Sequence, residues 1–200
     1  MHSFSLDTPR GPADVRITDP AGPPLSLLVL GHGAGGGVDA PDLQRVQTAA
    51  VDAGVRVALI TQPYRVAGRR APAPAGQLDE AWTSCVRELA VPRLPLLVGG
   101  RSSGARVACR TAGALGAVGV LALAFPLHPP GKPDRSRADE LPVDIPTLVV
   151  NGDRDAFGVP AATASVEVAV RPGATHDLRK DLAGTADVVL HWLREHGWAD

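Results

Sequence analysis

Short apolar runs alternate along the chain with segments whose apolar residues recur at helical spacing, the pattern of a parallel sheet flanked by helices. Leu25–Leu30 is apolar but for Ser26, as a strand buried on both faces is. Val55–Ile60, Pro95–Gly100 and Val118–Phe125 read the same way, and Ile145–Asn151 and Val166–Val170 are expected to extend the sheet. Ala13–Thr18 alternates in polarity and reads as an outer strand. Leu43, Val46 and Ala50 mark a helix over Leu43–Ala53 that stops at Gly54. Leu78, Trp82, Cys85 and Leu89 mark a second, Ala105–Ala114 a third, and Leu182, Ala186, Val189, Leu190 and Leu193 the last. Pro72–Gly76 reads as a surface loop, and a proline-rich stretch, Pro126–Pro142, interrupts the alternation. No composition shift marks a boundary, so one domain is expected over residues 1–200. The expected class is α/β, a mostly parallel sheet of about seven to eight strands with helices on both faces.

Composition narrows the function classes. Hydrophobic residues make up 44%, too many for a disordered chain. The net charge is -1, and Lys132 and Lys180 are the only lysines, so no basic face points to nucleic acid. Cys85 and Cys109 fall in helical segments without framework spacing, which predicts a reduced, cytoplasmic protein. The first twenty residues lack the apolar core of a signal peptide, and no apolar run reaches the ~18 residues that span a bilayer, so no membrane partner is expected. No Cys, His, Asp and Glu cluster has metal-ligand spacing, and neither metal nor cofactor is expected.

The chemistry concentrates after strand ends. Gly100-Arg101-Ser102-Ser103-Gly104 follows the run Leu96-Leu97-Val98 and precedes a helix. Strand–turn–helix is the placement that presents a nucleophilic serine, and the glycines leave room for a tight turn. The bland reading of Ser102 is a helix N-cap. Gly31-His32-Gly33-Ala34-Gly35-Gly36-Gly37 follows another strand. It matches a dinucleotide loop at Gly31, Gly33 and Gly36, but no acidic residue closes the following strand, Val55–Ile60, and no Gly-Lys-Ser/Thr follows. With Ser102 present, the better reading is an oxyanion loop, with Ala34 as donor, Gly33 as the alternative, and Ser103 N–H as the second donor. His32 is expected to orient that loop. Asp153 and Asp155 follow the strand ending at Asn151, where such folds bind ligands, and either can orient a histidine; the bland reading is a turn aspartate. His176 lies in the loop after Val166–Val170. The order Ser102, Asp155, His176 is the one used by α/β hydrolases. His128 is expected to line the pocket from the proline-rich loop, with Arg101 beside the serine. His2 is assigned to a mobile terminus, and His191 and His196 to a solvated face of the last helix.

With these motifs, the chain resembles a family of small α/β hydrolases. It includes the testis-expressed hydrolase-like proteins and the hydrolase-like domain of a regulatory subunit of a nuclear histone-acetyltransferase complex; dienelactone hydrolases are more distant. The marks are His32–Gly36, Pro63-Tyr64 with Gly68-Arg69-Arg70, Gly99–Arg106, Phe125–Pro133 and Asn151–Gly158. The resemblance implies an α/β-hydrolase fold and a triad of Ser102, Asp155 and His176, the acid standing three residues after Gly152. The expected function is a serine hydrolase acting on a small-molecule ester, thioester or similar acyl group. The rival is a catalytically silent fold used as an interaction module, a class that some members of that family represent. Pro126 to Asp144 is too short for a separately cored cap, so an open site beside a proline-stiffened loop is expected.

Overall fold

The computed structural model describes residues 1–200. The apolar runs become eight strands of one sheet: β1 (His2–Thr8), β2 (Gly11–Thr18), β3 (Ser26–Gly31), β4 (Val55–Thr61), β5 (Leu96–Arg101), β6 (Gly119–Leu123), β7 (Thr147–Gly152) and β8 (Val166–Arg171). Their order is β1-β2-β4-β3-β5-β6-β7-β8. β1 and β2 pair antiparallel, β2 pairs antiparallel with β4, and every later pairing is parallel. The helices are α1 (Pro41–Asp52), α2 (Pro63–Val66), α3 (Ala75–Leu89), α4 (Ser103–Leu115) and α5 (Leu182–Glu195).

Both faces of the central strands are covered, which is why those strands are apolar at most positions. Leu27, Val29, Val98, Val120 and Ala122 pack with Trp82 and Val86 of α3 and Ala105 and Ala108 of α4. Their chain neighbours Leu28, Leu30, Leu97, Leu121 and Leu123 pack the other way, with Leu43, Val46 and Ala50 of α1 and Val189, Trp192 and Leu193 of α5. A one-residue slip of any central strand would exchange these two sets, so the register is fixed by burial on both sides. All the parallel strands therefore end on one edge of the sheet, and the loops that follow β3, β5, β7 and β8 gather there.

Four expectations are corrected. His2 is the first residue of β1, paired opposite Ile17, and its ring stacks on Phe4 5.9 Å away. β1 therefore takes the sheet edge, and β2, expected outside, lies one place in. Helix α3 begins at Ala75, inside the stretch read as loop, because the chain turns helical directly after Pro74. His196 is only half-exposed and caps the end of α5: its ring stacks on Trp198 at 4.5 Å, and its Nδ1 bonds the Trp192 carbonyl. The one-turn helix α2 carried no periodic signal at all.

The proline-rich segment between β6 and β7 carries only the 3₁₀ turn Ala138–Glu140. It is held to the body by charge. Glu140 accepts from Arg106 at 2.7 Å and from Arg110 at 3.1 Å, and Arg110 also bonds Asp79 of α3 at 2.9 Å. Burial pushes the Glu140 carboxyl up, but hydrogen bonds and charge from Arg106 and then Arg110 outweigh that and hold it below its ordinary value. A carboxyl depressed in the folded state contributes stability that is complete above its unfolded pKa and is lost as pH falls through the lower native one. Glu140→Gln should therefore lower the melting temperature at neutral pH, and the difference from wild type should shrink as the pH is taken down through the carboxylate range. Thermal melts across that range measure it; a gap that widens on acidification would show that this network does not anchor the segment.

Candidate active site

Ser102 stands where β5 becomes α4. Its backbone takes φ 53° and ψ -110°, a left-handed conformation that a side chain accepts only under constraint from its surroundings. Its N–H donates to Leu123 O of β6 at 2.9 Å, and its C=O accepts the first turn's bond from Arg106 N–H at 3.1 Å. Ser102 is thus the N-cap residue by position, yet its hydroxyl caps nothing. Oγ instead donates to His176 Nε2 at 2.9 Å. The turn fits because Gly100 and Gly104 lack side chains: a Cβ at Gly100 would stand 2.5 Å from Gly31 O, and one at Gly104 would strike the backbone of Gly31 and His32.

His176, in the loop after β8, donates from Nδ1 to Asp155 Oδ2 at 2.8 Å. The Asp155 carboxylate is fully buried, and its other oxygen accepts Phe157 N–H at 2.8 Å. Asp153, the other candidate, is exposed and bonds Gly173 N–H at 2.6 Å, so it ties down the histidine loop from outside. The structure thus brings Ser102, His176 and Asp155 into one hydrogen-bonded row and leaves Asp153 as a turn residue.

The glycine loop lies against the Ser102 turn. A Cβ on Gly33 would stand 3.6 Å from Ser102 Cβ. The N–H groups of Gly33, Ala34 and Ser103 donate to no acceptor in the protein. His32 is buried and supports the loop from beneath: its Nε2 accepts Gln62 N–H at 3.0 Å, which puts the proton on Nδ1, and Nδ1 donates to Gly33 O at 2.8 Å. Burial pushes its pKa down, so the ring stays neutral in that role. Tyr64 fixes the next residue by donating from its hydroxyl to Ala34 O at 2.7 Å. Gln62, Tyr64, Trp82 and Ser103 line a cavity of about 10 Å³, room for about one water-sized occupant.

His128 lies further out than expected. Its N–H donates to Phe157 O at 3.0 Å, its ring packs on Gly158, and it makes no hydrogen bond to Ser102 or His176. Arg101 contributes two bonds beside the serine, one to the buried Asp42 and one to His176 O. The sequence reading missed Asp42, Phe157 and Asn151 as site residues. Phe157 lays its ring 4.2 Å from that of His176. Buried Asn151 joins Phe125 N–H and C=O to Gly158 O, which fixes the acid loop to the end of β6. The quoted Asn151–Gly158 motif contained two of these three residues, but nothing in its spacing gave them a role. No group of three or more His, Cys, Asp and Glu side chains converges on a possible metal site.

Comparison with known proteins bears on the fold. The alpha/beta hydrolase domain family profile matches residues 24–185. The chain belongs to that family. A search of the curated proteins finds no match. Among solved structures, a serine hydrolase without a lid from Xanthomonas campestris is 21% identical, with a TM-score of 0.78 over 98% of this chain and 94% of the other. An alpha-beta serine hydrolase homologue from Coxiella burnetii is 20% identical, TM-score 0.78, over 97% and 96%. A dienelactone hydrolase from Anabaena variabilis is 20% identical, TM-score 0.75, over 97% and 96%. At such identities these likenesses show the fold.

The close approach at Gly104 generates a test. In the α/β-hydrolase turn a methyl group there meets backbone, which cannot swing aside. Gly104→Ala should cost about 1–3 kcal/mol of stability by overpacking. Denaturant unfolding measures it, and an unchanged midpoint would mean that the turn is looser than described.

Proposed function

We propose that this protein is a serine hydrolase that cleaves a small-molecule ester, thioester or similar acyl bond through an acyl-enzyme. The observation that carries the reading is the Ser102 hydroxyl, which caps no helix and donates to His176 Nε2 at 2.9 Å. In this reading His176 takes the hydroxyl proton as Oγ adds to the substrate carbonyl. The resulting imidazolium is held in place and stabilised by the buried Asp155 carboxylate. The oxyanion is received by Ser103 N–H and by Ala34 or Gly33 N–H, which have no other acceptor, at the N-terminus of α4. His176 then returns the proton to the leaving group. Water, activated by the same imidazole, attacks the acyl-enzyme and regenerates Ser102. Family membership supports hydrolase chemistry, and the likeness to the testis-expressed hydrolase-like proteins remains the more specific kinship we propose. We also place the protein in the cytoplasm, because Cys85 and Cys109 are buried and free; no helix is long and apolar enough to cross a membrane.

A fluorophosphonate probe should label Ser102, and Ser102→Ala should abolish labelling while lowering kcat on an activated ester by about 10⁶ if the three residues act as a unit. Asp155→Asn should lower kcat by about 10⁴, and Asp153→Asn far less. Wild-type protein that neither reacts with the probe nor turns over activated esters would favour the silent interaction module instead.

The segment that could have formed a cover is tied to α4 through Arg106 and Arg110. Nitrophenyl esters of increasing chain length should therefore be hydrolysed best at about two to four acyl carbons, with no jump in rate on aggregation. Preference for long chains, or sharp activation at a lipid interface, would contradict the fixed, open site.

A further inference from the structure

Arg101 fills the place between Gly100 and Ser102. Its side chain is about four-fifths buried and hydrogen-bonded to two partners. Nε donates to Asp42 Oδ2 at 2.8 Å, and Nη2 donates to the main-chain oxygen of His176 at 2.9 Å. Nη1 lies 3.0 Å from the position a Gly33 Cβ would occupy. The Asp42 carboxylate has no exposure at all, and it also accepts Leu43 N–H at 2.9 Å in the first turn of α1. Burial pushes this carboxyl up, and the charge of Arg101 acts against that. Burying such a pair is a poor route to stability, since desolvation consumes much of the Coulomb attraction. What the pair does supply is direction. One planar group, itself fixed by a buried acid, touches the histidine loop and the glycine loop at the foot of the nucleophile turn.

We propose that Arg101, anchored by Asp42, is a positioning residue that sets the His176 imidazole and the Gly33–Ala34 N–H groups against Ser102. The inference rests on Ser102 being the nucleophile. Arg101 acts on His176 through the main chain of that same residue, so a shift there moves the ring directly. A misplacement of about 1 Å in such a site costs on the order of 10²-fold in rate. Lysine cannot replace it, because one ammonium lacks the planar fork that meets two differently placed acceptors.

The test compares Arg101→Lys, Arg101→Met, Asp42→Asn and the double variant Arg101→Lys/Asp42→Asn with wild type. The measurements are kcat, KM, fluorophosphonate labelling rate, melting temperature and the low-field NMR signal of the His176 Nδ1 proton. Arg101→Lys should lower kcat and labelling by about 10²-fold with KM little changed, and should displace the NMR signal. The double variant should be no slower than the worse single, since both changes break one unit. If Arg101→Met does not fold, Arg101→Lys carries the comparison. Folded variants with wild-type kcat and an unmoved NMR signal would overturn the proposal, as would losses confined to KM or strictly multiplicative in the double variant. Inert wild-type protein would refute the hydrolase reading instead, and the NMR signal would still show whether Arg101 positions His176.

Discussion

The site depends on the crossing of three backbone segments. The end of β3 at Gly31, the end of β5 at Gly100 and the start of α4 at Gly104 approach so closely that no Cβ fits between them. This contact lets the chain reverse from strand to helix within one residue, and Ser102 is the residue that takes the left-handed conformation. The same contact brings the glycine loop beside the serine, because that loop is the direct continuation of β3. The position of Ser102, the free N–H groups beside it and the helix N-terminus thus share one cause, the parallel pairing of β3 with β5 in a register set by burial on both faces.

Around this crossing, buried polar groups are matched almost one to one. Asp155 uses both oxygens, on His176 and on Phe157 N–H. Asn151 satisfies Phe125 in both directions. His32 accepts with one ring nitrogen and donates with the other, and stays neutral. Satisfied groups of this kind hold a single arrangement, because any rotation would leave a donor or acceptor unpaired in a low-dielectric interior. The exceptions are Gln62 Oε1 and Trp82 Nε1, which have no partner, and the N–H groups of Gly33, Ala34 and Ser103, which donate to no acceptor in the protein.

Rigidity of the surroundings has a separate origin. The acid loop is fixed from β6 by Asn151, the histidine loop by Asp153 and Arg101, and the glycine loop by His32 and Tyr64. The proline-rich segment is joined to α4 through Glu140, and His128 packs it against the acid loop. Each brace spans elements far apart in sequence. The site is therefore assembled by tertiary contacts on a frame that local pattern had already laid down.

That division explains what was legible in advance. Burial periodicity is a local property, so the sequence by itself determined the central strands, the four long helices and their alternation. The strand–turn–helix context of Ser102 and the position of the acid three residues after Gly152 are local too, and both pointed to residues the fold then joined. β1 escaped because an edge strand exposed along most of its length carries no apolar signal, and α2 because one helical turn has no period. The roles of Asp42, Asn151, Phe157 and Arg101 escaped for another reason. Arg101 stands 59 positions from Asp42 and 75 from His176, and Asn151 stands 26 from Phe125. Nothing in the spacing of such residues marks them as partners. Only the closing of the sheet, which brings the ends of β3, β5, β7 and β8 to one edge, decides which distant side chains share a hydrogen bond.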